Sequence, residues 1–149
     1  MGNLSFVKIK DRSTALFAVP VPSRRGVALL LFAARAKGRG SRWWSPTLAL
    51  AGSPLRAFID SLRRVAEGGE SAAFKSRKSG LFVVVRRRDA GYILLLGSGS
   101  TVFASLRMSR GDLQRATSLL EAAVRWPPNQ LPPSLTWEVK EEIFGPHAG

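Results

Sequence analysis

Leu81–Leu96 reads LFVVVRRRDAGYILLL, and the chain carries this stretch twice. Leu16–Leu31 reads LFAVPVPSRRGVALLL: it opens on the same Leu-Phe, reaches a glycine ten residues on (Gly26, as Gly91) and closes on the same three leucines. The two copies stand 65 positions apart, Leu16 against Leu81. Further on the match continues at an offset of 58, with Thr47–Leu50 against Ser105–Met108 and then Leu55 and Leu62 against Leu113 and Leu120. The segment AKGRGSRWWSP, in the first copy only, absorbs the difference. Self-similarity at a fixed spacing marks one supersecondary unit used twice.

Within each copy the apolar period names the elements. Ser5–Lys10 alternates, with Phe6, Lys8 and Lys10 on one side and Val7 and Ile9 on the other, as in a half-buried strand. Leu16–Val21 predicts a second strand, Ser23-Arg24-Arg25-Gly26 a turn, Val27–Ala34 a third strand and Thr47–Leu50 a fourth. Pro20 and Pro22 each remove a ladder donor, which places their strand at an edge or a bulge. Ala36–Ser45 reads as a basic loop. Ser53 as N-cap and Pro54 at the first helical position open a helix whose Leu55, Phe58, Ile59, Leu62 and Val65 fall at helical spacing until Gly68-Gly69. On it, Asp60 reads as an ion-pair partner of Arg56, Arg63 and Arg64.

The second copy predicts strands near Ala72–Ser76, Leu81–Arg87, Tyr92–Leu96 and Thr101–Arg107, then a helix over Arg110–Val124 that Pro127-Pro128 stops. The expected fold class is α+β: two tandem ββββα repeats, residues 4–68 and 70–125, whose antiparallel sheets each pack with a helix. A lone four-stranded sheet with one helix buries too little apolar surface, so the two close into one pseudo-symmetric domain over 4–125. Residues 126–149 read as a Pro-rich irregular tail with one amphipathic piece, TWEVKEEIF.

Charge and composition narrow the function. The chain has 23 Lys and Arg against 10 Asp and Glu, a net +13, which points first to a polyanionic partner. Only one lysine lies beyond residue 125, with three glutamates, so the positive charge belongs to the repeats. There is no cysteine and the one histidine is His147, which excludes disulfide scaffolds and thiolate chemistry and argues against zinc sites and His-dependent triads. No carboxylate pair or nucleotide loop stands out: Gly97–Ser100 lacks the lysine and following helix of a phosphate loop and reads as a hairpin turn. The expectation is a protein without catalytic residues, metal or cofactor. The longest apolar run, Val27–Ala34, is eight residues, too short to span a membrane, and basic residues at Lys8, Lys10 and Arg12 precede it. The expected location is intracellular, nuclear or cytoplasmic.

Leu16-Phe17 and Leu81-Phe82 as strand openings, Arg24-Arg25-Gly26 as a basic turn and Phe58-Ile59-Asp60-Ser61-Leu62 in the helix together resemble the PUR repeat of purine-rich-element binding proteins. There two ββββα repeats make one domain. The first copy departs from that pattern in having Val27 where the family has an aromatic after the turn glycine, a place that Tyr92 fills in the second. The second turn reads Arg88-Asp89-Ala90-Gly91, and Ala116 and Thr117 stand where the first helix has Phe58 and Ile59. The resemblance implies binding of single-stranded DNA or RNA and a part in transcription regulation.

Such a binder needs cations for phosphates and aromatic platforms for unstacked bases, each stacked base being worth about 1–3 kcal/mol. The candidate phosphate contacts are Lys8, Lys10, Lys75, Arg77, Lys78 and Arg86, Arg87 and Arg88, with Arg24, Arg25, Arg42 and Arg107 beside them. The candidate platforms are Phe6, Trp43 and Phe103. Each has a plainer reading: Phe6 as cover for the second repeat, Trp43 as rim packing, Phe103 as a partner interface. Strand parity sets Trp44 towards the core with Leu48 and Leu50, and Tyr92 reads as core with its hydroxyl satisfied. The competing function is a protein-interaction or oligomerisation module, possible as a homodimer, whose charge serves solubility.

Overall fold

The alternation in both copies becomes antiparallel sheet. The structure, a computed structural model, describes residues 7–24, 26–36 and 42–124. Phe6, Arg25 and the tail beyond Val124 lie outside the described residues. The first copy holds strands β1 (Val7–Asp11), β2 (Thr14–Ser23), β3 (Gly26–Ala36), β4 (Arg42–Trp44) and β5 (Leu48–Leu50), then helix α1 (Gly52–Ala66). The second holds β6 (Ser71–Lys75), β7 (Leu81–Arg88), β8 (Gly91–Ser98), β9 (Thr101–Met108) and helix α2 (Arg110–Val124). The first sheet runs β1-β2-β3-β4 with β5 also on β3, and the second runs β6-β7-β8-β9. The fold is α+β, and its element order, five strands and a helix followed by four strands and a helix, is compatible with two ββββα units.

The fourth strand differs between the copies. In the second sheet β9 lies along β8 from Tyr92↔Met108 to Ser98↔Thr101, with one bulge at Leu96/Gly97. In the first sheet it is broken, β5 covering Leu29–Leu31 and β4 covering Ala34–Ala36. Ser45 holds the break together. Its N–H donates to Ala33 O at 2.8 Å, and its Oγ accepts the Ala33 N–H at 2.8 Å, so a side chain supplies the acceptor that a continuous strand would have offered. The registers also correct the tandem alignment. Leu29↔Leu50 and Leu94↔Leu106 are matching rungs, so Leu50 corresponds to Leu106 and not to Met108.

Pro20 and Pro22 sit on β2 opposite Leu29 and Val27 of β3. The described part of β1 ends at Val7↔Ala18, so among the described residues both prolines fall where β2 has a neighbour on one side only.

One core serves both copies. Leu16, Leu29, Leu31, Leu48 and Leu50 of the first sheet share a single buried cluster with Val83, Val85, Leu94, Leu96 and Leu106 of the second, and Phe58, Leu62, Leu113 and Leu120 of the helices belong to it as well. The α1 face legible in the sequence is the buried one, Leu55, Phe58, Ile59, Leu62 and Val65. Its start is different. Ala51 is the N-cap and makes no side-chain hydrogen bond, while Gly52, at φ +62°, turns the chain out of β5 into the first helical turn. Ser53 is therefore inside the helix. By contrast α2 opens with a reciprocal cap: Ser109 Oγ accepts the Asp112 N–H at 3.1 Å and Asp112 Oδ2 accepts the Ser109 N–H at 3.3 Å.

The far end of α1 is finished by the second copy. Tyr92, buried on β8, donates its hydroxyl to Val65 O at 3.2 Å, and Arg110 Nε donates to Ala66 O at 3.0 Å. Val65 O also accepts the Gly68 N–H of the turn that ends α1, at 3.0 Å, so the second copy adds to a local cap there. Arg63 pairs with Glu121 of α2 and not with Asp60.

Candidate nucleic-acid interface

With the inner faces of both sheets in the core, each sheet has one outer face on which to build a site. On the first, the registers line up Lys8, Phe17 and Phe32 across β1, β2 and β3, and Lys10, Ala15, Ala34 and Trp44 one rung further on. Three rings close on one another there. Phe17 stacks on Phe32 with centroids 5.6 Å apart, and Trp44 lies 6.2 Å from Phe17 and 6.1 Å from Phe32. Lys8 Nζ stands 5.6 Å from the Phe17 ring centre, an attraction of a cation to a π face.

Trp44 is thus on the face opposite Leu48 and Leu50, against the reading from parity. Between β5 and β4 the register against β3 slips by one residue, from Leu31↔Leu48 to Ala34↔Trp44, and a one-residue slip exchanges the faces of everything beyond it. By the same slip Trp43 turns inward at the rim of the core. Its ring centre is 6.2 Å from that of Phe103, with the Arg35 guanidinium 4.9 Å above it. Phe103 sits in the β9 bulge, between the rungs Leu96↔Ala104 and Gly97↔Val102, and packs against the shared core. These two half-buried rings therefore meet each other across the sheets, which supports rim packing over a stacking role.

The outer face of the second sheet has another composition. Its rungs read Lys75, Phe82, Gly97, Val102; then Ala73, Val84, Leu95, Ser105; then Ser71, Arg86, Ile93, Arg107. Phe82 lies across the Gly97 backbone. A Cβ placed on Gly97 would stand 2.7 Å from the Phe82 ring and 2.2 Å from Thr101 O, so only glycine admits the ring this close. Lys75, Arg86, Arg107 and Ser105 are exposed around it, and Val102 beside it is 48% exposed. Four residues separate Phe82 from Arg86 along β7, a distance of about 13 Å at strand rise.

The remaining sequence candidates lie at the margins. Arg77 and Lys78 are exposed in the turn between β6 and β7, Arg87 and Arg88 are exposed at the β7–β8 end, and Arg24 is exposed at the β2–β3 end. Arg42 is the first residue of β4; Phe6 and Arg25 lie outside the described residues. Where the sheets approach, the Arg107 N–H donates to Asp11 Oδ2 at 2.9 Å and ties β9 to the β1–β2 hairpin. A groove of about 270 Å³ opens there, lined by Lys8, Lys10, Arg107, Asp112, Arg115 and Leu119. A second, of about 180 Å³, runs along the first sheet past Lys10, Arg12, Phe17 and Arg35.

Sequence reasoning did not single out Phe82, which lies on Gly97, or Arg12, Arg35 and Arg115, which line the two grooves. Phe82 shares parity with Val84 and Arg86 against the buried Leu81, Val83 and Val85, which signals an outward ring; the glycine beneath it is visible only once β8 is in register. No protein-family model matches this sequence, and no curated protein matches it. Among the described residues no helix is long and apolar enough to cross a membrane, and no group of three or more His, Cys, Asp or Glu is placed to hold a metal ion.

Proposed function

We propose that this chain binds single-stranded nucleic acid without catalysing a reaction, in a PUR-like arrangement of two repeats, and that the outer face of the second sheet is the surface that does so. Bases stack on Phe82, and phosphates lie along Lys75, Arg86, Arg88 and Arg107. Arg77, Lys78 and Arg87 extend the path at the hairpin ends, while Lys10 and Arg12 extend it beyond the Arg107–Asp11 contact. The observation that carries this reading is the Phe82 ring laid over Gly97 on a face rimmed by exposed cations. A ring held against backbone loses little side-chain freedom when a base stacks on it, and each stacked base contributes about 1–3 kcal/mol. A net charge of +13 supplies the long-range attraction.

The test is a titration with short poly-purine and poly-pyrimidine strands, each as DNA and as RNA, repeated at several salt concentrations. Binding that weakens linearly in log salt and is lost in Phe82→Ala supports the reading; affinity indifferent to salt and to Phe82 overturns it. The second reading, a protein-interaction or self-association module, is favoured by the aliphatic strip of Val84, Leu95 and the exposed Val102 on the same face. It expects no oligonucleotide binding and a dimer, read by light scattering, that Val102→Lys dissolves.

A further inference from the structure

Along α2, Asp112, Arg115 and Leu119 stand three and four residues apart, which puts them on one face of the helix. The buried stripe is a different one and runs through Leu113, Ala116 and Leu120. The face with Arg115 forms one wall of the groove of about 270 Å³, whose other walls are β1 over Val7–Lys10 and the end of β9 at Arg107 and Met108. Leu119 is 46% exposed and, with Val102, is one of two large hydrophobic side chains so exposed among the described residues. The packing of α2 on the core makes no use of it.

The charge of the lining is one-sided: Lys8, Lys10, Arg107 and Arg115 stand against Asp112 alone, four positive to one negative. Backbone donors take up the carboxylates at hand. Asp112 Oδ2 accepts the Ser109 N–H, and Asp11 Oδ2 accepts the Arg107 N–H. Lys8 is engaged with the Phe17 ring. Lys10, Arg107 and Arg115 make no ion pair among the described residues, whereas Arg63 has Glu121. Like charges gathered round a concavity focus their field and concentrate an anion there. Two of these three are guanidinium groups, whose planar forks match the oxygens of a phosphate. Val7, Ile9, Ala116 and Leu119 set an apolar wall beside them. The volume lies at the low end for small-molecule sites, which suits a single nucleotide and not an oligomer.

We propose that this groove holds one nucleotide with a phosphomonoester, its phosphate on Lys10, Arg107 and Arg115 and its sugar and base along Leu119 and Ala116. A free nucleotide and the phosphorylated end of a bound strand present the same chemistry, a dianion beside an apolar ring. For a strand end the inference rests on the proposed strand binding and marks where the path past Arg107 stops; for a free nucleotide it stands without that reading.

Calorimetric titration of the full-length chain with adenosine 5′-monophosphate, inorganic phosphate and adenosine tests this. The monophosphate is expected to bind one to one and about tenfold tighter than either fragment. Arg115→Glu, at an exposed helix position, is expected to weaken it by about tenfold. Leu119→Ser should weaken it several-fold and leave inorganic phosphate unchanged. A monophosphate no tighter than inorganic phosphate, or indifferent to Arg115→Glu, overturns the proposal, as does binding that Phe82→Ala removes. Short strands with and without a terminal phosphate then distinguish the sources. A preference for the phosphorylated strand that Arg115→Glu abolishes assigns the groove to strand ends, and equal affinities assign it to free nucleotides. The monophosphate titration needs no strand, so its failure and that of strand binding are read separately.

Discussion

The outer faces of the two sheets occupy matching positions in the tandem copies. Phe17 corresponds to Phe82 and Phe32 to Gly97, each 65 residues on, and Lys8 lies opposite Phe17 as Lys75 lies opposite Phe82. In the first sheet the second ring and Trp44 close over Phe17, and Lys8 is engaged with that ring's π face. In the second sheet glycine replaces the second ring, so Phe82 lies on backbone and Lys75 stays exposed. Very few side chains thus separate a face closed by three rings from a face on which one ring lies on backbone. The same aromatic is enclosed when other rings surround it and keeps one face open when a glycine lies beneath it.

Phe17→Ala is the severest test of this contrast. Removing a nearly buried ring that packs on Phe32, Trp44 and Lys8 should cost about 3–5 kcal/mol of stability, read as a fall in thermal midpoint of roughly 10 °C. Oligonucleotide affinity of the folded fraction should be unaltered. A mild effect on stability would show that the first face is not a packed cluster. Next comes Ser45→Ala, which leaves the Ala33 N–H without its acceptor at the strand break and should cost about 1–3 kcal/mol in denaturant unfolding. A neutral result would mean that β3 needs no partner there.

Phe82→Ala should do the reverse of Phe17→Ala: an affinity loss of about 1–3 kcal/mol for single strands with a smaller loss of stability. If the two substitutions behave alike, the distinction between the faces fails. The smallest effect is electrostatic. Each of Lys75→Ala, Arg86→Ala and Arg107→Ala should lower the slope of log affinity against log salt by about 0.7. Lys8→Ala, whose cation is occupied by Phe17, should leave that slope nearly unchanged.

Much of this architecture is written in local pattern. The helical spacing of Leu55, Phe58, Ile59, Leu62 and Val65 and the alternation in Leu81–Arg87 depend on near neighbours, and the elements form where those patterns stand. Tyr92 is legible for the same reason: an aromatic on a buried strand must satisfy its hydroxyl, and it does so at Val65. The side taken by Trp44 is not local. Parity counted back from Leu50 holds only while the strand is unbroken, and the slip at Ser45-Pro46 inverts it. The seating of Phe82 on backbone is hidden likewise, since it needs Gly97 brought opposite by the β7–β8 register. The start of α1 is hidden because Ser53 offers a good capping side chain, whereas the chain turns one residue earlier, at Gly52.

The bonds from Tyr92 and Arg110 to the last carbonyls of α1 bear on how the molecule is made. As the ribosome releases the polypeptide from its N-terminus, α1 emerges well before either donor exists, and synthesis at about 5–20 residues per second leaves an interval of seconds. The first half must wait through it with its helix held at the end only by the Glu67–Gly69 turn and with a sheet whose inner face has no lid. An expression fragment stopped at Gly69 would inherit that waiting state permanently, and would precipitate or recruit a chaperone instead of folding as half a protein.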